Sequence, residues 1–329
     1  MRSRAQAARR VLGDNNAVVG VLAALLVLGA ALTIASPSFM TMNNMLNVVR
    51  QSVWVGVMAI GMVFVLGTGG IDLSVGAVLT FSGVLVAALI QGGTNIYLAI
   101  VLALVAGTLV GVLNGELITR LRLPPFIATL GIMSVLQGAV YVYTQGIPIY
   151  GLRYPEFQAL GQGFIGFLPV PVVILMVVAI FGYLVLNKTA YGRYVLGVGS
   201  SETAARLVGI PVDRIKVSVY AVAGLVAAIA GIILTSRGEA AVPSAGEGYE
   251  LDVIAAAVIG GTSMTGGKTS IAGAVVGAIF MTVIRNGLNL LGISTLWHQI
   301  VIGLFIIVAV AIGARPSGGL RRRMPVMAS

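Results

Sequence analysis

The chain has 329 residues, 58% hydrophobic and only 9% charged, with a mean hydropathy of +1.03, which excludes an ordinary soluble domain. Its net charge of +10 does not point to nucleic acid, because the basic residues flank apolar runs instead of gathering on one folded surface. Cysteine is absent, which excludes disulfides, thiolate metal sites and a Cys nucleophile, and the single histidine, His298, leaves little for a catalytic triad or a His-rich metal site; no catalytic residue, cofactor or metal is expected.

A helix needs about 20 apolar residues to cross a bilayer core, and the chain offers ten such runs in order. The first, Ala17–Ala35, follows an Arg-rich tail. It is too long for the apolar region of a signal peptide and reads as a retained helix. The stretch from Ser36 to Arg50, with Pro37 and three Asn, reads as a connection, and Gln51–Leu66 as the second span. Leu73–Ile90 and Ile96–Thr119 follow, joined by a turn at Gln91–Asn95. Pro124-Pro125 then opens Phe126–Thr144, since proline is tolerated in a first helical turn. Beyond a Gly-, Pro- and Tyr-rich segment to Leu168 come Pro169–Leu186, a long polar loop from Asn187 to Lys216, and Val217–Thr235. The short run Leu251–Ser263, then Ile271–Leu291 and Thr295–Ile312, complete the series.

The charges orient this series. Sixteen of the twenty Lys and Arg residues fall at Arg2–Arg10, Arg120–Arg122, Lys188–Lys216, Lys268 and Arg315–Arg323; the other four are Arg50, Arg153, Arg237 and Arg285. Positive residues collect on the cytosolic side, so ten spans with both termini cytoplasmic are expected, leaving those four outside. The fold class is all-α, a polytopic helical bundle, because helices satisfy their own backbone in lipid. Residues 1–16 and 314–329 read as basic cytoplasmic tails around a transmembrane domain at 17–313, with the cytosolic loop at 187–216 as the place to meet a soluble partner.

Three segments stand out. Around Gly69-Gly70-Ile71-Asp72-Leu73-Ser74 two apolar runs break. Asp72 is placed to N-cap the next helix, to shape a pathway, or both. The second, Gly260-Gly261-Thr262-Ser263-Met264-Thr265-Gly266-Gly267-Lys268-Thr269, resembles a phosphate-binding loop. It has five residues instead of four between Gly261 and the Gly-Lys pair, and no acidic residue follows it, so nucleotide binding is not expected. The third is Ser200–Ile210. Ser200 or Ser201 can cap a short helix, Glu202 suits its N-terminal end, and Gly209 and Pro211 stop it. Ala204, Ala205, Leu207 and Val208, beside Arg206, read as one apolar patch that lies on lipid or docks into a soluble subunit. Asn114, Gln137, Asn286 and Asn289 are candidates for a polar pathway, or else interhelical hydrogen bonds.

The ordered motifs Ile71-Asp72-Leu73-Ser74-Val75-Gly76, Pro125-Phe126-Ile127-Ala128-Thr129-Leu130-Gly131, Thr189-Ala190-Tyr191-Gly192-Arg193, Glu250-Leu251-Asp252-Val253-Ile254-Ala255-Ala256 and Ile259-Gly260-Gly261-Thr262-Ser263 resemble the ribose/xylose-type permease of bacterial ABC sugar importers. The resemblance implies a bacterial inner-membrane permease with three kinds of partner: an ABC ATPase subunit that hydrolyses ATP, an extracytoplasmic sugar-binding protein, and a second permease copy or paralogue. It implies that the ATPase docks on the loop before the seventh span, here Ser200–Ile210. Gly70, Asp72, Ser74, Gly261 and Thr262 join the four amides as pathway or helix-break candidates. A branched-chain amino-acid permease, a permease for another small polar solute and an ion-coupled transporter remain alternatives; the last would rely on Asp72, Glu116 or His298.

Overall fold

A computed structural model describes residues 2–294, 297 and 299–304, with side chains from Val18 onward. The tenth expected span, His298 and the C-terminal basic tail lie wholly or largely outside the described residues.

Helix follows helix from the start. α1 (Arg2–Ala35) leads through a turn to α2 (Met42–Gly67), which starts nine residues before the expected span. The Asn-rich stretch is therefore helix. Thr41 Oγ1 accepts from Asn44 N, and the Asn44 amide donates to Phe39 O, so residues that read as loop cap a helix instead. After the break come α3 (Val75–Gln91), α4 (Ile96–Thr119) and α5 (Pro125–Thr144). Asn95 caps α4 through the Tyr97 and Leu98 amides, and Pro125 opens α5 as its position predicts.

The next connection is built, not loose. It carries β1 (Ile149–Tyr150), α6 (Pro155–Gln162) and the tiny hairpin of β2 (Phe164–Ile165) with β3 (Leu168–Pro169) before α7 (Val170–Lys188). The loop expected at 187–216 is almost entirely helical: α8 (Ala190–Ser200), α9 (Glu202–Leu207) and the first turn of α10 (Val212–Gly238). β4 (Ala240–Ala241) pairs antiparallel with β1, Ile149 opposite Ala241. α11 (Tyr249–Ile259) and α12 (Ile271–Leu290) follow, and residues 299–304 are helical.

Seven of these helices are long and apolar enough to cross a membrane: the Val18–Ala35 part of α1, then α2, α4, α5, α7, α10 and α12. α3, at 17 residues, is slightly shorter, and the 11 residues of α11 cover only about 16 Å at 1.5 Å per residue. α2 is the axis of the bundle, buried without interruption from Ser52 to Gly67. α10 packs beside it, while α4, α5 and α7 turn large side chains such as Leu109, Val142 and Phe181 outward. That inside-out distribution suits a bundle whose surroundings are hydrocarbon.

Glycine sets the closest contact. Along α4, an added Cβ at Gly107 would meet Ala228 Cβ at 2.6 Å, at Gly111 the Tyr220 carbonyl carbon at 2.8 Å, and at Gly115 Val217 Cα at 2.5 Å. The two helices approach backbone to backbone over more than two turns, as small residues allow in membranes.

Candidate functional site

The connections gather at two ends of the bundle. One end holds the break after α2, the α8–α9 segment and the loop between α11 and α12; the other holds β1, β4, α6 and the residues from Glu239 to Gly248.

At the first end, the three segments singled out in the sequence meet. Gly267 N donates to Gly67 O at 3.1 Å, tying the second glycine-rich loop to the end of α2. Gly199, near the end of α8, sits between them: a Cβ there would stand 2.6 Å from Gly267 N and nearer still to Gly67 O. Gly69, Gly266 and Gly267 have φ of +77°, +85° and +75°, values that side chains rarely adopt, so the residue type is required by the turn as well as by the packing. The loop at 260–269 thus presents backbone to backbone, and Thr262 Oγ1 is occupied by the Ser270 amide. Gly261, with φ of +98°, turns the chain out of α11.

Just inside this junction lies a buried polar string. Asp72, Ser74 and Asn114 are 1%, 0% and 0% exposed. Asp72 Oδ1 accepts from Ser74 N (2.8 Å) and Ser74 Oγ (2.6 Å), and Asn114 Nδ2 on α4 donates to Ser74 Oγ (2.8 Å). Asp72 therefore closes a local turn ahead of α3, whose N-cap is Ser74, instead of capping the helix itself. Thr129 on α5 receives the Leu73 amide, and Tyr220 on α10 donates to Ile71 O. A Cβ at Gly70 would lie 2.6 Å from the Tyr220 hydroxyl, so this position admits only glycine without rearrangement. Three helices, α4, α5 and α10, consequently grip the break.

Ser201 caps α9 through the Ala204 amide, and Gly209 ends it with φ of +81°. The expected patch is divided: Ala205 is 4% exposed and packs inward, whereas Leu207 and Val208 are 83% and 75% exposed. A helix of six residues cannot turn Ala205 and Leu207 the same way, since they stand two positions apart. On the outer side Arg206 binds Glu202 (2.9 Å) and Asp213 (2.6 Å), and Lys216 binds Glu202 (2.6 Å), fastening α9 to α10. The Lys216 ammonium, aided by Arg206, holds the Glu202 carboxyl below its ordinary value.

The remaining sequence candidates lie elsewhere. Asn286 on α12 exchanges two amide hydrogen bonds with Asn44 on α2 (3.0 and 2.8 Å), which is the interhelical alternative. Gln137 is half-buried on α5 and Asn289 is exposed, and neither joins the polar string.

The second end holds residues that sequence reasoning counted as external charge. Of these Arg153 is solvent-facing and pairs with Glu239, but Arg237 lies over Trp54, Arg285 over Tyr249 and Arg50 over Phe164. Arg285 Nε donates to Asp252 Oδ2 at 2.5 Å, and Asp252 is 0% exposed. An acid in a span facing an Arg in the next was a legible signal for this pair; the position of Arg237 at a helix end gave none. Among the described residues no group of three or more His, Asp or Glu side chains is arranged to hold a metal ion.

Comparison with known families decides the affiliation. Residues 44–310 match the model of the branched-chain amino acid transport system / permease component family. The chain belongs to this family. Among its relatives, the ribose import permease protein of Bacillus subtilis is 44% identical over 91% of this chain and 93% of its own length. The ribose import permease protein of Escherichia coli K12 is 42% identical over 88% and 92%, and the L-arabinose ABC transporter permease of Azospirillum brasilense 36% over 88% and 86%. No solved structure matches the chain.

Proposed function

We propose that this chain is the membrane-spanning permease subunit of an ATP-driven ABC importer for a monosaccharide of the ribose class, in the bacterial inner membrane. The observation that carries the reading is the identity of 41–44% with ribose import permeases over about nine-tenths of both chains. The family's broad description includes amino-acid carriers, but the relatives in this identity range import sugar. The geometry agrees with a neutral cargo, because the buried string at the break is made of short hydroxyl, amide and carboxylate groups already engaged with one another.

The subunit performs no chemistry of its own, and ATP hydrolysis belongs to a separate ATPase. The end with α8 and α9 faces the cytosol in this reading: among the described side chains Arg120, Arg122, Lys188, Arg193, Arg206, Arg214, Lys216 and Lys268 lie there, and the other end has four basic residues. Ten spans in the permease domain at 17–313, with both basic tails inside, follow from that orientation. The ATPase docks on α9, with Leu207 and Val208 as the contact, and Ser200, Ser201, Glu202, Ala204, Ala205, Arg206 and Gly209 shape and fasten the segment. Its motion reaches the pathway because Gly199 touches both Gly67 and Gly267. A binding protein delivers sugar to the opposite end, and a second permease copy or paralogue completes the pathway between two subunits within the lipid.

Reconstitution with an ABC ATPase and a sugar-binding protein of the same importer tests the function. Proteoliposomes are expected to accumulate radiolabelled ribose only with ATP and all three components. Accumulation of leucine in place of ribose would overturn the reading.

A further inference from the structure

We infer that the hairpin of β2 and β3, together with Arg50, holds a phospholipid of the leaflet at the second end of the bundle, the outer one in the orientation proposed above. The tip of the hairpin enters the acyl chains and Arg50 takes the phosphate. The inference needs only the membrane placement of the chain, whatever its cargo.

The hairpin is closed by the Val170 amide on Gly163 O at 2.9 Å, with Phe164 opposite Pro169 and Ile165 opposite Leu168. Gly166, with φ of +63°, and Phe167 form its two-residue turn, the Gly-X order of a type II′ hairpin. So short a hairpin has no core of its own to cover its side chains. Phe164, Ile165 and Phe167 are 51%, 60% and 86% exposed, and no charged residue stands between Gly163 and Pro169. Single exposed apolar residues are ordinary, but three large ones in four positions mark an interaction surface.

The depth of this surface follows from α7. Its 19 residues rise about 28 Å at 1.5 Å each, close to the ~30 Å thickness of a bilayer core, so with Lys188 at one edge Val170 stands at the other. Phe167 lies two strand residues from Pro169, which is about 7 Å. The headgroup layer is ~5–8 Å thick by the same bilayer dimensions. The tip therefore stays in or under that layer whichever way the hairpin leans. A soluble partner that comes and goes would leave Phe164, Ile165 and Phe167 in water between visits, whereas lipid is there throughout.

A cation stands beside the tip. The half-buried Arg50 on α2 lies with its guanidinium 4.8 Å over the Phe164 ring centre. Its Nε has no hydrogen-bond partner, and among the described residues no carboxylate pairs with it. An arginine at the edge of hydrocarbon is costly without an anion, and a phosphate accepts two of its N–H groups at once. An unpaired cation next to an apolar wedge matches the chemistry of a molecule with a phosphate head and acyl tails.

The test uses the permease–ATPase complex in nanodiscs of phosphatidylethanolamine and phosphatidylglycerol. Phe167→Cys in this cysteine-free chain, tagged with an environment-sensitive fluorophore, should be quenched by lipid carrying a spin label high on its acyl chain and little by iodide in the water. Arg50→Gln should cut the lipid quenching by half or more at an unchanged melting temperature, and Arg50→Lys should fall between. Without any label, native mass spectrometry of the detergent-extracted complex should find one more phospholipid retained by wild type than by Arg50→Gln. Phe167→Ser, at a side chain that its own fold leaves exposed, should lose that lipid too. A tip quenched by iodide and not by lipid would overturn the inference. So would shielding that appears only on adding the binding protein or only as two permease copies pair, or Arg50→Gln chains that retain lipid as wild type does.

Discussion

Two glycines in α8, two residues apart, should respond to alanine with opposite sign. Ala is better than Gly in a helix by about 1 kcal/mol, and both Gly197 and Gly199 have helical neighbours. At Gly197 the nearest atom to an added Cβ is Ile210 Cδ1 at 3.5 Å, ordinary contact, so Gly197→Ala should gain up to about 1 kcal/mol. At Gly199 the Cβ would lie 2.6 Å from Gly267 N and closer to Gly67 O, and neither is the end of a flexible side chain. Overpacking typically costs about 1–3 kcal/mol, and fixed backbone on both sides puts this site at the upper end. After the helix gain is subtracted, about 2 kcal/mol remains, roughly a 30-fold shift away from the docked junction. In nanodiscs, Gly199→Ala should melt several degrees below wild type. It should lose ATP-driven uptake more than it loses ATPase activity, because the contact from α8 to both breaks is what it disturbs. Gly197→Ala should melt at or above wild type and transport normally. A Gly199→Ala importer with wild-type melting and uptake would refute the idea that this junction carries the coupling.

Leu207→Glu, at 83% exposure, should fold normally yet lose ATPase on co-purification, whereas Ala205→Glu should lower the melting temperature first, because it buries a charge against its own chain; the reverse order would dismiss α9 as the docking element. The lowered Glu202 carboxyl contributes stability above its unfolded value, near 4, and that stability is lost as pH falls through the still lower folded value. A cysteine at Ala205 should therefore be protected at pH 7 and label faster only below about pH 4, and Glu202→Gln should label fast at pH 7; equal labelling in both chains would exclude the ion pairs as the fastening. Cysteines at Ser200 and Ser317 should react only from the cytosol, and at Gly92 and the exposed Phe167 only from outside; cytosolic reaction at Phe167 would refute the orientation. Gly161, although in the same outer segment, is unsuitable, because it packs on the Arg237 backbone.

Spans were legible wherever apolar length alone decides, as in α4, α5 and α7, because lipid rewards each independently. Boundaries were lost where a distant partner decides. Asn44 reads as loop until Asn286, 242 positions later, satisfies its amide. The 187–216 region reads as a polar loop because α8 and α9 are short and take their stability from α2, α7 and α10. Both glycine-rich breaks were visible as sequence, but their meeting through Gly199 was not, since backbone contact leaves no pattern of side-chain types. The charge split pointed to orientation and, by the same token, concealed Arg50, Arg237 and Arg285, which look like topology signals until the elements around them are in place.

The glycine seam between α4 and α10 restricts how such a protein can move. Helices meeting through side chains can slide as rotamers adjust, but where Gly107, Gly111 and Gly115 rest on the α10 backbone there is nothing soft to yield. α4 and α10 therefore travel as one strut. α10 begins four residues after Val208 and ends at Gly238, in the wall of a cavity of about 300 Å³ with Thr80 and Tyr249, and α4 carries Asn114 onto the Ser74 hydroxyl on the way. A tilt given to α9 would be delivered, undamped, to the Asp72–Ser74–Asn114 string near one end and to that cavity near the other, so the two would be geared to a single stroke.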